Sequence, residues 1–395
     1  MSTSIMDDFS AWIRSELDRL EAAGLRRAIP EIDRGADRRL ELGGRRLLNL
    51  ASNNYLGLAG HPALAEAACR AAREYGAGSG ASRLVTGNTA LHDELDRRVA
   101  AFKGQEAALC FTSGFAANLA LFSAFAGRDA VVFSDRLNHA SIIDGILLSG
   151  AKHVRYRHND PEHLARLLEQ HRDHPRKLLA TDTVFSMDGD AADLATLAEL
   201  CGRHKVPLAV DEAHATGVLG RGRGLASELG LEREAALHMG TFSKALGSLG
   251  GYVAGSRDAI DLLLNKGRAF VFTTALPPAV AAANLAALDL AEADPSAGPR
   301  LLAMARDFRA ELQAMGFATG DSATQIIPVL LGPAEAALRA RDALLAHGVY
   351  VAAIRPPTVP PNTARLRISL RADLTPEDLD LARTAFRALA AELGR

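Results

Sequence analysis

The sequence of 395 residues is poor in several things, and each absence removes a class of protein. Its three cysteines, Cys69, Cys110 and Cys201, lie far apart with no CxxC pair. Neither a disulfide framework nor a thiolate zinc site is indicated, and a reducing cytoplasmic setting is expected. No HExxH and no GxSxG occur, so zinc-peptidase and α/β-hydrolase chemistry lack their anchors and no metal is expected. No run reaches the ~18 uncharged apolar residues of a membrane span, and residues 1–17 carry Asp7, Asp8, Arg14 and Glu16 with no sustained apolar core, unlike a signal peptide. With 45 Lys+Arg against 47 Asp+Glu the formal charge is -2, so neither nucleic acid nor a membrane is an expected partner. Residues 211–214 spell DEAH, yet no GxxxxGK[ST] exists to hold a triphosphate, which removes a helicase. Residues 76–80, GAGSG, fail the dinucleotide pattern because Ala81 stands where a glycine is needed. Lysine is scarce as well: beside many arginines there are only Lys103, Lys152, Lys177, Lys205, Lys244 and Lys266.

The length exceeds the ~100 to 200 residues of one domain, which predicts a large and a smaller domain. Between residues 47 and 255 short apolar runs alternate with amphipathic stretches, the signature of βα units on a mostly parallel sheet. Candidate strands cover 106–112, 130–135, 154–157, 178–185, 206–210, 237–241 and 251–254, with helices at 114–125, 141–149, 161–170 and 194–204. Residues 278–293 read as one long helix, and 294–298 as a linker. A smaller α+β domain then follows, with helices at 300–315, 334–347 and 376–393 and strands at 325–331, 349–354 and 366–370. The expected division is an amphipathic helix and arm over 1–45 packing on the small domain, a large α/β domain over 46–293, and a small domain over 294–395.

Ligands of such sheets gather beyond the carboxyl ends of the strands, and polar residues recur there in chain order. Ser113, Gly114 and Phe115 open a helix whose first N–H groups suit a phosphate, although on this motif alone a plain Ser cap is the favoured reading. His139 follows the strand 130–135; alone, it reads as a loop or capping histidine. Asp211 ends an apolar run, so it needs a cationic or donor partner: a structural ion pair or a counter-ion to a protonated ring nitrogen. Lys244 sits in TFSK before a Gly-rich turn, where lost solvation lowers the amine pKa and suits imine formation with an aldehyde. A phosphate anchor, an imidazole for one ring face, an acid for the ring nitrogen and a lysine for the aldehyde together describe a pyridoxal 5'-phosphate site. His214 would sit near the ring's phenolic oxygen, with Ser186 and Thr241 adding hydrogen bonds.

Residues 211–217 (DEAHATG), followed by 241–244 (TFSK), resemble the α-oxoamine synthase family of aspartate-aminotransferase-like enzymes. The likeness extends to 52–58 (SNNYLGL), 78–87 (GSGASRLVTG), 113–118 (SGFAAN), 138–141 (NHAS) and 185–190 (FSMDGD). The resemblance implies an α/β fold of the pyridoxal phosphate fold type I and a decarboxylating acyl transfer between an amino acid and an acyl thioester. It implies Lys244 as the cofactor-bearing lysine, Asp211 as the ring-nitrogen partner and His139 as the stacking residue that also meets the substrate. Gly114 and Phe115 would anchor the cofactor, while Ser186, His214 and Thr241 match cofactor-contacting positions. Residues 353–360 (AIRPPTVP) and 363–368 (TARLRI) look most like the branch that joins L-alanine to a pimeloyl thioester, pimeloyl-CoA or pimeloyl-acyl carrier protein. Branches using glycine or serine are the alternatives, and a non-catalytic regulator a third. In that branch Arg355, Thr358 and Arg26, with Arg27 as its basic neighbour, match substrate contacts. The family is homodimeric, and Thr273 and Thr274 match a segment reaching a neighbouring cofactor phosphate. Two positions depart from the pattern: Ala215, where Gly or Ser is frequent, and Asp182, where Glu is common.

Overall fold

The computed structural model describes residues 5–395, so the first four positions of the expected 1–45 segment lie outside the described residues. A seven-stranded sheet organises the large unit, in the order Ala107–Phe111, Gly251–Gly255, Ala235–Thr241, Leu208–Asp211, Lys177–Asp182, Val131–Asp135, Lys152–Tyr156. Gly251–Gly255 is antiparallel to both of its neighbours and the other pairings are parallel. Most strands are buried along their whole length, because helices cover both faces of the sheet. On one face Gly114–Phe125 and Ala140–Ser149 bury Leu121, Phe122, Ile142 and Ile146. On the other, Leu164, Leu168, Leu197 and Leu200 join a core that continues through Ile326, Leu366 and Phe386 into the C-terminal unit.

That unit has an antiparallel sheet ordered Ile326–Gly332, Ala364–Ser369, Ala352–Ile354, with the helices Ala297–Ala314, Ala334–Ala346 and Pro376–Glu392. Thr375 and Asp378 form a capping box, and Pro376 occupies the first helical turn, so the last helix has a sharply defined start. The hairpin of Arg39–Leu42 and Arg45–Asn49 pairs in parallel with Val349–Tyr350, so residue 45 falls inside an element joined to the C-terminal unit.

The structure departs from the sequence reading in three places. The strand expected to reach residue 185 ends at Asp182, where the chain bends into a loop closed by the bridge Val184↔Ala191. The helix after the linker starts at Ala297 rather than 300 and includes Gly298, where a Cβ would stand 1.9 Å from the Val218 carbonyl oxygen; only glycine permits that approach. The helix Ile5–Ala22, expected to pack on the small domain, buries none of its residues and exposes Phe9 and Trp12. The arm reaches that unit: Arg38 and Arg39 pair with Asp378, and Arg355 donates to the Gly24 carbonyl at 2.8 Å.

Candidate active site

A cavity of about 220 Å³ opens beyond the carboxyl ends of the central strands. Each wall comes from a strand end. Lys177–Asp182, Leu208–Asp211 and Ala235–Thr241 supply Asp182, Asp211 and Thr241, and the turns beyond them bring His139, His214, Ser243 and Lys244. Ser113, Gly114 and Phe115 close one side, where Ser113 accepts from Ala116 N at 3.0 Å and the Gly114 and Phe115 N–H groups meet no capping acceptor among the described residues. Gly114 is closely packed: a Cβ there would lie 3.1 Å from the Met239 methyl and 3.3 Å from Thr241 Cβ, so these neighbours would have to yield by a few tenths of an ångström.

Asp211 is held from two directions. Asn118 Nδ2 donates to Oδ2 at 2.8 Å and the Ala213 main chain to Oδ1 at 2.9 Å. His139 caps the helix Ala140–Ser149, with Nδ1 2.7 Å from Ser141 Oγ, and its own N–H donates to Asp182 Oδ2 at 2.7 Å. Thr241 Oγ1 lies 2.8 Å from Ser243 Oγ and donates to the Gly250 carbonyl at 2.6 Å, which ties the TFSK turn to the sheet. Burial lowers the Lys244 amine from its ordinary value, against the opposing pull of Asp211 and Asp182. Burial likewise lowers His139, with Asp211 opposing, and holds His214 well below the usual histidine range. His214 Nδ1 stands 2.6 Å from the Tyr55 hydroxyl.

Lys244, Asp211, His139, His214, Thr241, Gly114 and Phe115 thus meet in one cavity. The other candidates lie elsewhere. Ser186 does not line the cavity; its carbonyl accepts from Arg367. Thr273 and Thr274 line a separate pocket with Arg83 and His92. Arg26, Arg355 and Thr358 line a third cavity of about 520 Å³ together with Arg27 and Arg341, and it is Arg27 that donates to Thr358 Oγ1, at 3.3 Å. The sequence reading gave no role to Asn118, Tyr55 or Arg367. Arg367 is buried, and among the described residues its guanidinium meets only neutral acceptors: the Ser186 carbonyl, Asn53 Oδ1, Ser369 Oγ and the Tyr55 hydroxyl. The Leu366, Ile368 and Leu370 alternation makes Arg365 and Arg367 the polar face of a strand, which was the available signal.

The chain belongs to the class I and II aminotransferase family, whose pattern it matches over residues 45–386. Within that class it is 50% identical over 383 residues to the 8-amino-7-oxononanoate synthase of Geotalea daltonii, covering 96% of this chain and 98% of the relative. It is also 50% identical over 385 residues to that of Geobacter sulfurreducens, with 97% and 98% covered. Among solved structures, Sphingomonas wittichii serine palmitoyltransferase superimposes with a TM-score of 0.92 at 31% identity over 99% of both chains. The 8-amino-7-oxononanoate synthase of Francisella tularensis superimposes with a TM-score of 0.75 at 29% identity, over 88% of this chain and 98% of that one.

Pyridoxal phosphate is the cofactor of this class, and the cavity fits it. Asp211, buried and fixed through both oxygens, faces the cavity where a protonated ring nitrogen can meet it, and the N–H groups at the start of a helix of 12 residues suit a phosphate. No helix among the described residues is long and apolar enough to cross a membrane.

Proposed function

We propose that the protein is a pyridoxal phosphate-dependent 8-amino-7-oxononanoate synthase. It condenses L-alanine with a pimeloyl thioester, carried on coenzyme A or acyl carrier protein, and yields 8-amino-7-oxononanoate, carbon dioxide and the free thiol. The observation that carries this reading is the convergence of Lys244, Asp211 and His139 in one cavity of a chain half-identical over 96% of its length to such a synthase.

When bound, pyridoxal phosphate supplies an electron sink for the α-carbon of an attached amino acid. The protein's own groups do the rest. Asp211, fixed by Asn118 and Ala213, keeps a proton on the ring nitrogen. Lys244 Nζ, lowered by burial, would hold the cofactor and, once displaced by the amino group of alanine, would be free to take the α-proton and to return a proton to the product carbon after carbon dioxide leaves. His139, on the cavity wall, would meet the cofactor and substrate, and the neutral His214, bound to Tyr55, would supply a hydrogen-bonding group to the cofactor. The Gly114 and Phe115 N–H groups and Thr241 would hold the phosphate, while Ser186 stands outside the cavity and acts only through its carbonyl bond to Arg367. Arg367, buried without a carboxylate of its own, is the cation for the alanine carboxylate. Arg355, with Arg26 and Thr358, binds the far carboxylate of the pimeloyl chain through its planar fork.

The enzyme acts in the cytoplasm as a homodimer in which Thr273 and Thr274 reach the partner's cofactor phosphate. Support for pairing comes from the exposed apolar side chains Val85 (73%), Phe115 (44%) and Phe272 (71%), the last adjoining those threonines. The test is mass-spectrometric product identification after mixing holoenzyme with pimeloyl thioester and alanine, glycine or serine in turn. Product from alanine alone is expected; preference for glycine or serine overturns the assignment.

A further inference from the structure

One carboxyl in the cavity has no part in the reaction as described. Asp182 is 3% exposed, ends the strand Lys177–Asp182 and pairs in parallel register with Asp211 on the next strand. Residues paired in this way direct their side chains to the same face, so two carboxyls stand beside each other. Their partners differ. Both Asp211 oxygens have a donor, from Asn118 and Ala213, whereas Asp182 has one: Oδ2 accepts from His139 N at 2.7 Å, and Oδ1 accepts from no described residue. The peptide so held carries the imidazole that walls the cavity and that also touches Ser141. With Lys244 the only lysine on the cavity wall, two neighbouring carboxylates would repel, and the cheaper arrangement keeps one of them protonated.

Building on the proposed site, we infer that Asp182 is a positioning residue, uncharged in the working enzyme, that anchors the His139 main chain through Oδ2 and leaves Asp211 as the cavity's single carboxylate. The groups facing Asp182 are Asp211, His139, Lys244 and Asp135. Burial favours the protonated form most, Asp211 and Asp135 add to it, and the His139 N–H and Lys244 oppose it without prevailing. A protonated carboxyl still accepts the His139 bond through its carbonyl oxygen and keeps a donor on its other oxygen.

The experiment compares the wild-type holoenzyme with Asp182→Asn, a neutral isostere that retains the acceptor, and Asp182→Ala, which removes it. Two readouts follow the cofactor rather than alanine: the pH midpoint of the visible absorbance change, and the dissociation constant of pyridoxal phosphate for the apo-protein. They decide the matter even if the amino acid assignment fails. Asp182→Asn is expected to leave the midpoint within half a unit and the dissociation constant within about threefold of wild type. Asp182→Ala is expected to weaken cofactor binding and lower kcat, each by about tenfold or more, with KM for the thioester unchanged. A midpoint lowered by more than half a unit in Asp182→Asn identifies a charged carboxylate and overturns the inference. So does Asp182→Ala with kcat and cofactor affinity both near wild type. Should a melt show Asp182→Ala unfolded, the Asp182→Asn midpoint decides alone.

Discussion

Asn118 donates through Nδ2 to Asp211 Oδ2 at 2.8 Å and through the same nitrogen to Ser141 Oγ at 2.8 Å. A side-chain amide has two N–H groups, so both are used, and one buried residue fixes the acid and the first turn of the helix capped by His139. Asp211→Asn preserves that shape and removes the charge. It is expected to lower kcat by roughly 10²- to 10⁴-fold while the protein still binds pyridoxal phosphate, as absorbance and steady-state kinetics will read. Asn118→Ala frees the carboxylate and is expected to cost about tenfold.

Arg355 lies outside the Lys244 cavity, so its removal leaves the reacting atoms untouched. Arg355→Ala is expected to raise KM for the pimeloyl thioester by about tenfold or more, with kcat within about threefold, because the lost interaction is made equally in the ground and transition states. An unchanged KM would remove Arg355 from the substrate site.

His158 bridges Asp135 at 3.0 Å and Asp190 at 2.9 Å, tying the 186–190 loop to the end of a central strand. Burial lowers its pKa, but the bonds to both carboxylates more than offset this and push it up to about 10. A base raised on folding contributes fully below its unfolded pKa, about 6.5, and loses that contribution as pH rises through the folded value. His158→Gln is therefore expected to lower Tm by several degrees near pH 6 and by progressively less toward pH 10. A gap that stays constant across this range would contradict the ion-paired state.

Lys103 and Glu212 form a buried pair directly after Asp211, with Lys103 also donating to the Arg223 carbonyl. Burial alone would raise Glu212, yet Lys103 and His238 hold it down at about 2. Lys103→Met strands a buried carboxylate and is expected to cost about 3–5 kcal/mol in denaturant unfolding. Lys103→Met with Glu212→Gln removes both charges and is expected to recover more than half of that loss.

Much of the site was legible because its residues sit at strand ends, where an apolar run gives way to a polar residue: Asp211 after LAV, and Lys244 after Thr241. The supporting contacts were not, since they join distant parts of the chain: Asn118 to Asp211 across 93 residues and Arg367 to Tyr55 across 312. Alternation marks Arg365 and Arg367 as a strand's polar face, but it does not reveal that the 186–188 loop buries that face through Ser186 and Asp188. The Ile5–Ala22 helix shows the same limit, for its amphipathic pattern is plain in the sequence and yet no residue of it is buried in the single chain.

The central claim is that Lys244, set between Asp211 and Asp182, bears the cofactor. Borohydride reduction of the holoenzyme followed by peptide mapping tests it most directly. The account predicts one pyridoxyl label, on the peptide containing Lys244, and none in Lys244→Ala; a label on any of the other five lysines, or on none, would contradict it.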